Sequence, residues 1–109
     1  MRGYQLTFYT QQDRLQHGLP LAQWLLQQAR QLGLKGATLQ TASEGFGRSG
    51  HIQASHFFEL SGQPQEITMA VTQAEVDAMF ALLASHQVNV FYVLTPIEYG
   101  LSADRVPGE

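Results

Sequence analysis

Glu66-Ile67-Thr68-Met69-Ala70-Val71-Thr72-Gln73-Ala74-Glu75-Val76-Asp77-Ala78-Met79-Phe80-Ala81-Leu82-Leu83 changes its hydrophobic period within a few residues. Up to Val71 the apolar side chains alternate, with Ile67, Met69 and Val71 on one face, as in a strand with one buried side. From Val76 onward Val76, Met79, Phe80 and Leu83 recur at helical spacing. Between the two stands Thr72-Gln73-Ala74-Glu75, a Thr followed three residues later by Glu. That is a capping box, in which hydroxyl and carboxylate each satisfy a backbone N–H that the first helical turn leaves unpaired. The stretch therefore reads as strand, cap and helix, and His86-Gln87 marks the helix end.

Working outward, the same two periods recur. Tyr4, Leu6 and Phe8 alternate with Gln5, Thr7 and Tyr9 as a first strand. A polar loop through Asp13, Arg14, His17 and Gly18 follows, and Pro20 sits where a first helical turn tolerates it. Leu21, Trp24, Leu25, Ala29 and Leu32 form a helical stripe with Gln23, Gln27, Gln28 and Gln31 around it, and Gly33 stands at the C-cap position. Residues Gly36 to Ser43 read as a second strand, Ala37, Leu39 and Thr41 alternating against Thr38, Gln40 and Ala42. Residues 52–60 are extended and read as an extra strand, ended by the turn cluster Ser61-Gly62-Gln63-Pro64. Val88 to Thr95 is apolar almost throughout and reads as a strand buried on both faces. The order predicts an α+β, ferredoxin-like βαββαβ fold. Right-handed crossovers put both helices on one face of a four-stranded antiparallel sheet. The opposite face carries Gln5, Thr7 and Tyr9, and Thr38 with Gln40 if the strand register permits, and must meet water or another subunit. Residues 1–99 are expected to form this one domain, and 100–109 a polar C-terminal tail.

With 109 residues and 44% apolar content, one core is expected. Charged residues make up 14%, against about 25% in typical soluble domains, and glutamine takes their place. So weakly charged a surface does little to repel a second copy. The net charge of −3 argues against a nucleic-acid binder, which needs a basic stripe to displace counterions. Cysteine is absent, which excludes disulfides and thiolate metal sites. The alternating N-terminus lacks the apolar core of a signal peptide, and no apolar run is long enough to span a membrane, so a cytoplasmic protein is expected.

Gly45-Phe46-Gly47-Arg48-Ser49-Gly50-His51 is the stretch with most chemical potential. Glycines let backbone N–H groups approach an anion, and the arginine adds a fork of donors. The same glycines also serve a plain hairpin turn. Gly45, Gly47, Arg48, Ser49 and His51 are the candidate ligand residues, together with Thr38. The Thr38 hydroxyl either reaches a ligand at a subunit cleft or belongs to an ordinary strand residue. His17, His51, His56 and His86 show no helical i, i+4 pair and no acidic cluster, so no metal site is expected. Ser49, His51 and Glu44 lie within one turn without a nucleophile elbow, and no catalytic residue is assigned. Trp24, Met69, Met79 and Phe80 are expected in the core, and Arg105 in solvent.

With these motifs placed, the chain resembles the PII signalling proteins. Leu32-Gly33-Leu34-Lys35-Gly36-Ala37-Thr38 looks like that family's helix-to-strand passage, and Gly45-Phe46-Gly47-Arg48 with Gly50-His51 looks like the base of its long T-loop. A group of small PII-like proteins of unknown function is closer still. His17-Gly18-Leu19-Pro20-Leu21, Gly36-Ala37-Thr38, Glu44-Gly45-Phe46-Gly47 and Ser55 to Leu60 carry that likeness, which spans roughly residues 4–95. The resemblance implies a regulatory, nitrogen-regulatory-protein-like homotrimer. It would bind a small anionic effector, such as an adenine nucleotide, between subunits, and offer the loop from Gly47 to Pro64 to a partner such as a membrane transporter or an enzyme. The PII pattern is incomplete here. Ser85-His86-Gln87-Val88-Asn89 has neither the glycines nor the lysine of the family's second phosphate loop. Ser49 replaces a glutamine, and residues 45–64 contain no tyrosine to modify. These departures argue against ATP binding and covalent modification in the PII manner and leave room for another small anion. Two alternatives stand beside this reading: a small cofactor-free enzyme on a ferredoxin-like barrel, and a CutA-like trimer associated with divalent metals.

Overall fold

Each predicted core element is present in the computed structural model, which describes residues 1–42, 44–46, 52–54 and 63–105, with backbone only for 44–46 and 52–54. The order is β1 (Arg2–Gln11), β2 (Leu15–Gln16), β3 (Leu19–Pro20), α1 (Leu21–Gln31), β4 (Thr38–Thr41), β5 (Glu44–Phe46), β6 (Ile52–Ala54), β7 (Pro64–Val71), α2 (Gln73–Ser85) and β8 (Phe91–Glu98). A 3-10 turn at Ser102–Asp104 follows. The main sheet runs β4-β7-β1-β8, all antiparallel. This is the ferredoxin-like order, with each helix crossing between strands of one sheet. β5 pairs with β6 in a separate two-stranded ribbon. Of the extra strand expected over 52–60, β6 is the described part, and the remainder lies outside the described residues.

The helices cover one face. Leu6, Phe8, Ile67 and Val71 on the sheet, Leu25 on α1 and Met79 on α2 are fully buried, and Trp24 is 3% exposed. Phe80 is half-buried, its ring 6.1 Å from Phe8 and 4.8 Å from Tyr92. The capping box forms as the sequence predicts: Thr72 Oγ1 accepts from the Glu75 N–H at 3.2 Å, and the Thr72 N–H donates to Glu75 Oε1 at 2.8 Å. α1 is capped differently. Pro20 is its N-cap residue and offers no side-chain hydrogen bond, whereas the Leu21 N–H donates to the Arg14 carbonyl at 2.7 Å. The chain before the helix thus satisfies one of its unpaired donors. At the C-terminus Gly33 has φ +81°, and Gly33 and Leu34 donate back to the carbonyls of Arg30 and Ala29. This is a Schellman ending, which a residue without Cβ enters freely.

Two expectations need correction. The polar loop before α1 contains a hairpin, β2–β3, turning at His17 (φ +52°) and Gly18 (φ +79°). Two consecutive positive-φ residues are the signature of a tight two-residue hairpin turn. The last strand, expected at 88–95 and buried on both sides, instead runs from Phe91 to Glu98 along a sheet edge. Pro96 does not end it, because an edge strand has an open side to which no N–H need be donated. Phe91 is 50% exposed and Val93 42% on the open face, and Tyr92 is 47% exposed on the helix side, so this apolar strand is buried on neither face within the chain.

Candidate functional site

Strand register assembles the open face of the sheet. Thr38 lies opposite Thr68, Thr68 opposite Thr7, and Thr7 opposite Val93. The next row is Gln40, Glu66, Tyr9 and Phe91. The Thr7 and Thr68 hydroxyls are 3.2 Å apart, and the Tyr9 and Phe91 rings meet at 5.8 Å. Tyr9, Phe91 and Val93 give the β1–β8 side an apolar surface, while hydroxyl and carboxamide groups and the Glu66 carboxylate line the β4–β7 side. The alternation in β1 puts Gln5, Thr7 and Tyr9 on this face, and the observed register adds Thr38 and Gln40, which the sequence left conditional on it.

A second feature lies at the end of the sheet, where the chain departs between β4 and β7 and returns. The Ala42 N–H donates to the Pro64 carbonyl at 2.8 Å, and the Gln12 N–H to the Gln63 carbonyl at 2.9 Å, which pins both ends of the excursion to β1 and β7. On the helix side a polar row, Thr41–Gln65–Thr10, continues the row Leu39–Ile67–Phe8. Gln65 is 8% exposed and donates to Thr41 Oγ1 at 3.4 Å. Thr10 Oγ1, Gln12 Oε1 and Gln65 Oε1 are buried with no hydrogen-bond partner among the described residues. Leaving such a group unpaired costs about 1–3 kcal/mol, so this corner gains from any small polar molecule that pairs with it. Sequence reasoning missed these residues because glutamine and threonine read as surface there.

Of the candidate ligand residues, Thr38 is exposed on the open face, and Gly45 lies on β5 opposite Gln53. Gly47, Arg48, Ser49 and His51 lie outside the described residues, as does the turn that would join them. Glu44 lies on β5, opposite Ala54. Arg105, expected in solvent, is exposed and 3.5 Å from Glu98. Among the described residues no group of three or more His, Asp or Glu side chains is placed to hold a metal, and no helix is long and apolar enough to cross a membrane.

An antiparallel ferredoxin-like sheet, helices on one face and an excursion between its second and third main strands make up the architecture. The chain belongs to the DUF190 family (Uncharacterized ACR, COG1993), whose model matches residues 3–99. A UPF0166 protein of Aquifex aeolicus (strain VF5) is 29% identical over 70 residues, covering 64% of this chain and 67% of that one. Among solved structures, a protein of Thermus thermophilus described as PII-like and signalling superimposes with a TM-score of 0.64 at 16% identity, over 88% of this chain and 87% of that one. CPII, a nitrogen regulatory PII-like protein from Thiomonas intermedia K12 solved with ADP, AMP and bicarbonate, gives 0.65 at 19%, over 94% and 92%. CPII bound to ADP and bicarbonate gives 0.64 at 18%, over 94% and 93%. The fold is therefore PII-like.

Proposed function

We propose that this protein is a PII-like regulatory module: a homotrimer that binds a small anionic effector between subunits and presents the segment between β4 and β7 to a partner protein. The observation that carries the reading is the open face of the sheet. Tyr9, Phe91 and Val93 leave an apolar strip uncovered on a chain whose other sheet face is covered by helices over β1 and β7, though not along the edge strand β8, where Tyr92 is exposed. A three-fold assembly that turns the sheets inward covers that strip, and its closed symmetry needs only one kind of contact. Such clefts bring the Thr38 side of one sheet against the edge of another.

The effector reading rests on the chemistry at the root of the excursion. The Gln12 and Gln65 carboxamide oxygens only accept, so they call for a donor such as an amino group on the effector, while the Thr10 hydroxyl donates or accepts. This row lies on the helix side of the sheet, behind the Thr38 face, and Arg48 is the residue proposed to supply charge for an anion. An adenine nucleotide and bicarbonate are the effectors to try first, since CPII holds both. The enzyme alternative draws no support from the helix–sheet layer, which Phe8, Leu25, Ile67 and Met79 occupy as fully buried side chains.

A thermal-shift series with ADP, AMP and bicarbonate on the native chain and on Arg48→Ala tests the proposal. An effector that binds only the folded state adds RT ln(1 + [L]/Kd), about 2.7 kcal/mol at a hundred times Kd. The native chain gains stability with at least one of the three. Arg48→Ala, lacking a charge-assisted hydrogen bond usually worth about 1.5–3 kcal/mol, needs roughly ten- to a hundredfold more for the same gain. Equal gains in both proteins would remove Arg48 from the site.

A further inference from the structure

Three aromatic rings from distant parts of the sequence meet at one corner of the helical layer. His17 comes from the turn between β2 and β3, Trp24 from α1 and His86 from the C-cap of α2. Their ring centroids are 5.6 Å apart for His17–His86, 5.1 Å for Trp24–His86 and 6.4 Å for His17–Trp24. Trp24 is buried, while both imidazoles are exposed above it. The backbone holds each histidine in place. His17 occupies the first positive-φ position of the hairpin turn, and the His86 N–H donates to the Leu82 carbonyl at 3.1 Å, with Gln87 (φ +56°) and Val88 closing the helix behind it. Arg14 donates to the Asn89 carbonyl and ties the two connections together.

We propose that His17 and His86 form a two-imidazole site for a divalent transition-metal ion, open to solvent on its outer side. Two imidazoles bound to one ion at about 2.1 Å place their ring centroids roughly 4.5–5.5 Å apart, close to the 5.6 Å between His17 and His86. Their planes stand at 83°, and both exposed rings turn about their side-chain bonds to aim a nitrogen at the shared ion. Neutral imidazole suits copper, nickel and zinc, and has little affinity for magnesium or calcium. No further His, Asp or Glu among the described residues completes a set of three. Water therefore fills the other positions, and the ion exchanges readily. The bound ion bridges the β2–β3 hairpin and the C-terminal end of α2. The absence of helical His spacing hides this pair in the sequence, because only the tertiary fold brings the two residues together.

The sole tryptophan lies beneath the pair and reports on it directly. The untagged full chain is titrated with Ni²⁺ and with Cu²⁺, alongside Mg²⁺ as a control, while Trp24 fluorescence is followed. The expected result is saturable quenching by Ni²⁺ and Cu²⁺, tighter for Cu²⁺, and none by Mg²⁺. His17→Asn keeps a residue that favours positive φ before Gly18, and His86→Gln keeps a polar cap residue. Each variant raises the Ni²⁺ midpoint by roughly tenfold or more, whereas a His51→Ala/His56→Ala double variant keeps the native midpoint. An unchanged midpoint in either His17→Asn or His86→Gln overturns the proposal. So does loss of quenching in the double variant, or the absence of saturable quenching below millimolar Ni²⁺.

Discussion

Replacing Phe91 by glutamate should dissolve the proposed trimer without unfolding the chain. Phe91 is 50% exposed on the open face, and its ring contact there is with Tyr9 at 5.8 Å. A buried aromatic side chain covers about 150–250 Å², so Phe91 leaves roughly 100 Å² for an interface to cover. At about 25 cal/mol per Å² this is about 2.5 kcal/mol per chain. Symmetry triples it to about 7.5 kcal/mol, or roughly five powers of ten in the association constant, before the unfavourable burial of three carboxylates is counted. The helix-side core, with Phe8, Leu25, Ile67 and Met79, is untouched. Light scattering on the eluting peak should therefore give three times the 12.1 kDa chain mass for the native protein and the single-chain mass for Phe91→Glu, both with native circular dichroism. A native protein that elutes as a monomer, or a folded Phe91→Glu that remains a trimer, would refute the reasoning.

Two further substitutions test the fold. Thr72→Ala removes the hydroxyl that accepts from the Glu75 N–H and should cost about 1 kcal/mol, seen as a melting temperature lower by roughly 4–8 °C. Gly3→Ala should cost more, about 2–3 kcal/mol in chemical denaturation, because its Cβ would lie within 2.3 Å of the Val71 carbonyl oxygen and 2.6 Å of the Tyr99 ring. A Gly3→Ala protein as stable as the native chain would mean that the β1–β7 ladder yields more easily than its register implies.

What was legible in the sequence was local or periodic. The capping box spans four residues and needs no tertiary information, so Thr72 and Glu75 could be read from their spacing. Period-two alternation assigned Thr7 to the open face, and only the strand register, through Thr68, brought Thr38 to the same face. The β2–β3 hairpin has strands of two residues, too short for any alternation to show, although His17-Gly18 carries a turn signal. The apolar run before Pro96 was read as doubly buried because a single sequence does not reveal which side of a strand a second subunit would cover. The buried Thr10, Gln12 and Gln65 escaped notice for another reason: residue type predicts exposure for glutamine, and only the sheet register seals that row.

The proposal of an effector-binding regulator is tested most directly by isothermal titration calorimetry of the native protein with ADP and AMP, each with and without bicarbonate. The account predicts saturable binding of at least one nucleotide at one equivalent per chain, lost or weakened at least tenfold in Arg48→Ala. No saturable heat with either nucleotide or with bicarbonate up to millimolar concentrations would contradict it.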